Sequence, residues 1–209
     1  VKPIFVRRAA PLALALAAAL LSTGCAPLLL GGAVVGGTLI ATDRRTSGAQ
    51  IEDQAIELKA ANRVREAVGD RGRVSVTSYN RLVLISGEVQ SDADKAAVEQ
   101  AVLRVENVRS VVNELAVLGA SSLTSRSNDL LLAGKVKASF VDAKDLLANA
   151  FKVVADRGTI YLMGRVTERE ATRATDIARS VPGVQKVVRV LEILTEEELA
   201  ELQPKAAAK

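Results

Sequence analysis

Leu162-Met163-Gly164-Arg165-Val166-Thr167-Glu168-Arg169-Glu170-Ala171 passes from a strand through a glycine into a helix, and it has a counterpart in the same chain. Thr167 followed by Glu170 is a capping box, in which the hydroxyl takes an N–H three residues on and the carboxylate reaches back. Ala171, Ala174, Ile177, Ala178 and Val181 then recur at helical spacing as the buried stripe of that helix. At an offset of 77, Ile85 stands for Leu162, Gly87 for Gly164 and Val89 for Val166, while Val74 and Val76 stand for Phe151 and Val153. One residue is lost after the helix, and at an offset of 76 Val108, Val111, Val112 and Leu115 meet Val184, Val187, Val188 and Leu191. A match carried through strand, glycine, helix and strand is an internal repeat of one supersecondary unit.

Working outward, each copy reads αββαβ. The first has a helix over 51–68, strands at Arg73–Ser78 and Leu82–Val89, a helix capped by Ser91, and a third strand over Val108–Leu118. The second strand is apolar at nearly every position up to Ser86-Gly87. Asp92 and Asp94 fall in the first turn of the second helix, where the macrodipole favours acids. The second copy opens with a helix from Asn128 to about Val141 and turns its hairpin at Asp156-Arg157-Gly158, whose glycine accepts positive φ. The class is α+β: two tandem domains, 50–118 and 119–195, each a three-stranded sheet packed by two helices, followed by a charged tail over 196–209.

The doubled αββαβ order, the glycines Gly87 and Gly164 closing the second strands, and the stretch from Leu162 to Ala171 resemble the BON domain. Gly183-Val184 opens the last strand in the family manner, whereas the first copy has Asn107-Val108 and is expected to turn differently. Ala41-Thr42-Asp43 with Arg45, and Ser127-Asn128-Asp129, also resemble family signatures. Gly87, Gly164 and Gly183 are accordingly read as structural glycines.

Lys2, Arg7 and Arg8 precede thirteen uncharged, mostly apolar residues, Ala9 to Leu21, and Ser22-Thr23-Gly24-Cys25 closes the run. A basic start, an apolar run and a small-residue end make a secretory leader, and its cysteine is the only one in 209 residues. The arrangement resembles the bacterial lipoprotein signal, with Ser22 where that pattern prefers leucine. It implies cleavage after residue 24, a diacylglycerol thioether and an N-acyl chain (palmitate among the fatty acids) on Cys25, and a tether over 25–49. Ala26 after the cysteine resembles the pattern that permits export to the outer membrane; it does not set the leaflet, and the periplasmic face is the expected one. A leader behind two BON domains is similar to the dual-BON outer-membrane lipoproteins, a resemblance that implies phospholipid binding and envelope integrity.

Composition excludes several classes. The chain is +4 overall, but residues 1–24 hold three basic and no acidic side chains, leaving 25 basic against 24 acidic ones. A nucleic-acid partner is not expected from so small a charge. Residues 50–118 are net −2 and residues 119–195 net +4. Histidine is absent, so there is no Ser-His-Asp arrangement and no imidazole ligand; neither an enzyme, a metal, a small-molecule substrate nor a further cofactor is expected. Asp92, Asp94 and Glu196-Glu197-Glu198 read as capping and solvated charge rather than acid–base pairs.

The helix opening the second domain stands apart. At 100° per residue, Leu132, Ala133, Val136, Ser139 and Phe140 gather into a core stripe. Leu130, Leu131, Gly134, Ala138 and Val141 fall off that stripe, with Lys135 and Lys137 at their borders. An apolar strip edged with lysines suits a surface that dips into an anionic phospholipid membrane, and the family resemblance puts the lipid site on this helix. Two other readings use the same residues: Leu130 and Leu131 seal the first domain against the second, or the strip serves envelope protein partners as a periplasmic chaperone or adaptor.

Overall fold

The computed structural model describes residues 43–202; the leader, Cys25, the tether as far as Thr42 and the tail beyond Leu202 lie outside the described residues. The first domain runs α1 (Ser47–Val68), β1 (Gly72–Tyr79), β2 (Leu82–Val89), α2 (Asp92–Leu103), β3 (Ser110–Asn113) and β4 (Ala116–Val117). The second runs α3 (Leu123–Asp142), β5 (Phe151–Asp156), β6 (Thr159–Thr167), α4 (Glu168–Ser180) and β7 (Lys186–Leu194), and α5 (Glu196–Leu202) follows. In each sheet the middle strand, β2 or β6, is antiparallel to the strand before it and parallel to the strand after α2 or α4. The doubled αββαβ order expected from the repeat is present.

Caps explain where the helices begin. Thr46 accepts the Ala49 N–H and starts α1 at Ser47, inside the stretch read as tether. Ser122 accepts the Ser125 N–H and starts α3 at Leu123, ahead of the expected Asn128. The Glu-rich tail opens as a helix because Thr195 and Glu198 cap each other's backbone N–H groups and Leu199 is buried. The single third strand expected over Val108–Leu118 is divided instead. The Asn113 side-chain amide donates to the Lys95 carbonyl and to Glu99 on α2, and its Oδ1 accepts the Leu115 N–H at 3.2 Å, while the Leu115 side chain is buried. The turn at Asn107 does not differ in hand from that at Gly183: φ is 66° and 103°. Asn107 is held there by its amide on Glu52 and by Arg81 donating to its carbonyl.

Alternation along the middle strands sends side chains into different cores. Val83, Ile85 and Val89 meet Ile56, Ala60, Val64, Val98 and Val102 from the helices of the first domain. Ile160, Leu162 and Val166 do the same in the second domain with Val136, Phe140, Ala171 and Ala174. The opposite faces meet each other: Tyr79 and Leu84 pack with Tyr161, Met163 and Val190 into one cluster. The sheets are therefore back to back with helices outside, and the two domains form one compact unit. Each buried side chain in that seam adds about 1.5–3 kcal/mol. Gly87 and Gly164 serve close approach, since a Cβ would lie 2.0 Å from the Arg73 carbonyl oxygen and 2.4 Å from that of Ala150.

Polar groups frame the seam. Glu192 of β7 accepts from Asn80 and Arg109 of the first domain and from Arg165 of the second. Lys152 of β5 donates to Glu57 on α1 and to the Ser78 carbonyl. Ahead of α1, adjacent arginines reach different domains. Arg45 pairs with Asp43 and Asp53 and lies 4.1 Å from the Tyr79 ring centroid. Arg44 grips both Glu170 oxygens at 2.7 Å and donates to the Arg165 carbonyl.

Each hairpin is pinned to the helix before it by a buried aspartate. Asn80 and Arg81 have φ of 49° and 67°, as a tight two-residue hairpin turn requires, yet neither is glycine. Asp53 of α1 accepts both of their N–H groups, at 2.7 and 2.8 Å, and the Ser78 hydroxyl at 2.7 Å. At the offset of 76, Asp129 of α3 takes the Arg157 and Gly158 N–H groups at 2.9 and 3.0 Å. Burial pushes the Asp53 carboxyl up, but the bonds from Ser78, Arg81, Arg45 and Asn80 outweigh it and hold it below the ordinary range.

Asp53→Ala leaves two turn N–H groups and the Ser78 hydroxyl without their acceptor, strips Arg45 of one of its two carboxylate partners, and is expected to cost about 3 kcal/mol in urea unfolding. Asp53, Glu170 and Glu192 all sit below their usual values, despite burial, through these bonds. Their contribution is complete above the unfolded carboxylate range and is lost as pH falls through the folded values, below about pH 4. The urea midpoint is expected to fall steeply there, and less steeply in Asp53→Ala.

Candidate functional site

The candidate site is the outer face of α3. Leu132, Val136 and Phe140 turn inward and fix the rotation of the helix, helped by Asp129. That rotation leaves Leu130, Leu131 and Val141 77, 65 and 66% exposed, with Gly134, Lys135 and Ala138 exposed among them. Leu130 and Leu131 do not seal the first domain; the back-to-back sheets do. Leu123, 72% exposed, extends the strip by two turns. Sequence reasoning missed it by starting the helix at Asn128, although Ser122 is a capping residue and Leu123 lies seven positions before Leu130 on the same face.

Lys137 is not at the border of the strip. Its Nζ turns inward and donates to the carbonyls of Ala148 and Phe151, and burial pushes its pKa down. It lines a cleft of about 410 Å³ together with Gly134, Asp43, Arg45, Tyr79 and Lys152. On the other flank a cleft of about 630 Å³ is lined by Leu131, Lys135, Arg157, Gly158, Pro182 and Gln185. Lys135 makes no ion pair among the described residues, nor does Lys144 just past the helix end.

The internal repeat supplies its own control. Aligned on Asp53 and Asp129, α1 places Gln54 at Leu130, Ala55 at Leu131, Lys59 at Lys135 and Arg65 at Val141. Exposed Ile51 and Leu58 of α1 fall at Ser127 and Gly134, while Gln54 and Arg65 stand where α3 has Leu130 and Val141. The strip thus belongs to the second domain alone, the one with net charge +4.

Gly87 and Gly164 lie in the middle strands, away from this face, whereas Gly183, in the turn before β7, lines the cleft that holds Leu131 and Lys135 and approaches Leu132 of α3. Cys25 lies outside the described residues. Among the described residues no cluster of carboxylates is arranged to hold a metal ion, and no helix is long and apolar enough to cross a membrane.

The BON domain family matches residues 52–119 and again residues 128–195. The chain is similar to the outer membrane lipoprotein DolP of Haemophilus influenzae, 37% identical over 186 residues, which cover 88% of this chain and 95% of that protein. It is similar to the 21 kDa hemolysin of Actinobacillus pleuropneumoniae, 26% identical over 71% of this chain and 78% of that one. Osmotically-inducible protein Y of Escherichia coli is 28% identical over 66% of this chain and 70% of its own length. None of these names is that of an enzyme. With both repeats matched and the first of these relatives spanned almost end to end, the chain belongs to the BON-domain family, among its two-domain outer-membrane lipoproteins.

Proposed function

We propose that this protein, held in the envelope by acyl chains on Cys25, lays the outer face of α3 on an anionic phospholipid bilayer and so supports outer-membrane integrity, without catalysing a reaction. The observation that carries this reading is the set of exposed aliphatic side chains Leu123, Leu130, Leu131 and Val141 on one side of a helix whose rotation is already fixed by its core. Four aliphatic side chains so exposed have no partner in the described fold and gain from entering the acyl boundary. Lys135 stands beside them, and each cation near an anionic surface is worth about 1 kcal/mol. Lys137 takes no part, being spent on backbone carbonyls. No aromatic side chain lies on the strip, so the contact is weak by itself. A lipid tether compensates, because it makes the second contact intramolecular.

The test is co-sedimentation of the chain with vesicles of phosphatidylcholine with and without phosphatidylglycerol. Leu130→Glu with Leu131→Glu is expected to reduce binding to the anionic vesicles more than tenfold while leaving the unfolding curve unchanged, since neither side chain packs in the core. Lys135→Glu is expected to lower it about fivefold or more at low salt, with the difference shrinking as salt rises. Gly134→Ala, whose Cβ meets nothing within 4 Å, is expected to retain binding and to stabilise α3 by up to about 1 kcal/mol. Undiminished binding by the double leucine variant would remove α3 from the membrane contact.

A further inference from the structure

At one end of the seam, three charged side chains meet in an arrangement that the docking of the domains leaves incomplete. Glu88 of β2 belongs to the first domain and its carboxylate is 0% exposed; Asp156 ends β5 of the second and is 12% exposed. Arg157 Nε lies 3.8 Å from Glu88 Oε1 and 3.5 Å from Asp156 Oδ2. All three atoms are buried and none makes a hydrogen bond, and the other Glu88 oxygen is likewise unmatched, 3.9 Å from Arg73 of β1. Buried polar atoms are rarely left so, because each costs roughly 1–3 kcal/mol. One guanidinium nitrogen is thus spread between two carboxylates, at distances too long to satisfy either.

We propose that Asp156, Glu88 and Arg157 form a proton-operated latch between the two domains, in which a proton held between the carboxylates replaces the guanidinium and frees Arg157 for the cleft beside α3. The proton comes from solvent onto Asp156 Oδ2, and the resulting O–H donates to Glu88 Oε1. The pair passes from two negative charges to one, and the two oxygens that Arg157 bridges loosely become a direct hydrogen bond. Arg157 already lines the cleft that holds Leu131 and Lys135, and its backbone is pinned by Asp129, so its side chain can turn without moving the hairpin. Burial pushes the Asp156 carboxyl up; Arg157 and the Gly87 N–H oppose this, and the charges of Glu88 and Asp129 add to it. The other groups facing the site are Arg73 on β1, Tyr161 on β6, and the pair Glu114 and Lys186, which are 3.9 Å apart. The latch stands on the seam alone; its consequence, an added cation on the bilayer face once Asp156 is protonated, rests on the membrane reading of α3.

Two readouts separate the two. In NMR titrations of the chain, the Asp156 carboxyl is expected to titrate above the usual aspartate range and the Arg157 Nε–H resonance to move with it. Asp156→Asn, an uncharged mimic of the protonated acid, is expected to fix that resonance at its acid position, and a wild-type Arg157 titration in this variant would overturn the latch. On phosphatidylglycerol-containing vesicles, wild-type binding is expected to rise about fivefold as pH is lowered from neutrality through the Asp156 titration seen by NMR, the weight of one added cation. Asp156→Asn should bind at the acid level throughout, and Arg157→Gln should stay at the neutral level. If the double leucine variant binds as well as wild type, the membrane reading fails while the resonances still decide the latch. If binding needs the leucines but Asp156→Asn keeps the wild-type pH profile, the membrane reading stands and the latch falls.

Discussion

Two strands buried on both faces govern this structure. β2 and β6 send alternate side chains outward to their own helices and inward to each other, so neither sheet has a wet side along its middle strand. A three-stranded sheet with two helices on one face would otherwise expose an apolar surface, and small domains have little core to spare. Back-to-back docking supplies the missing half of each core. It also explains why the chain carries two copies rather than one: each copy is the lid of the other.

Polar contacts then decide how the copies face one another. Glu192 gathers donors from both domains, Lys152 crosses to Glu57, and the neighbouring arginines Arg44 and Arg45 close the rim from the N-terminal side. The Arg44 and Arg45 pairs are largely desolvated and the others partly exposed, so all contribute less to net stability than to the choice of one docking geometry over others. The tilt of α3 relative to the seam follows from that geometry, and with it the direction in which Leu130 and Leu131 point.

Much of this was legible in the residues. The repeat, the αββαβ order, the capping box at Thr167 and Glu170, and the two faces of α3 all follow from short-range periodicity, which sequence records faithfully. What it recorded less openly were long-range partners. Leu82–Val89 is apolar nearly throughout, the pattern of a strand covered on both sides, but nothing local says by what. Asp53 reads as an ordinary solvated acid on a helix; only its match with Asp129, each feeding a hairpin with positive φ, marks it as a pin. Lys137 lies near the strip on a helical wheel, yet a four-carbon stem reaches sideways, and the carbonyls of Ala148 and Phe151 capture it. Asn113 interrupts the third strand for the same reason: its partners are on α2, eighteen and fourteen residues away.

The paired arginines ahead of α1 have a mechanical consequence. Any pull transmitted along the segment that leads to the anchor arrives first at Asp43–Arg45, where one guanidinium is fastened to Asp53 and its neighbour to Glu170. Load is therefore shared between both modules at the point of entry instead of being applied to α1 and passed through the seam. A molecule tugged by a moving membrane would be drawn along by both halves at once.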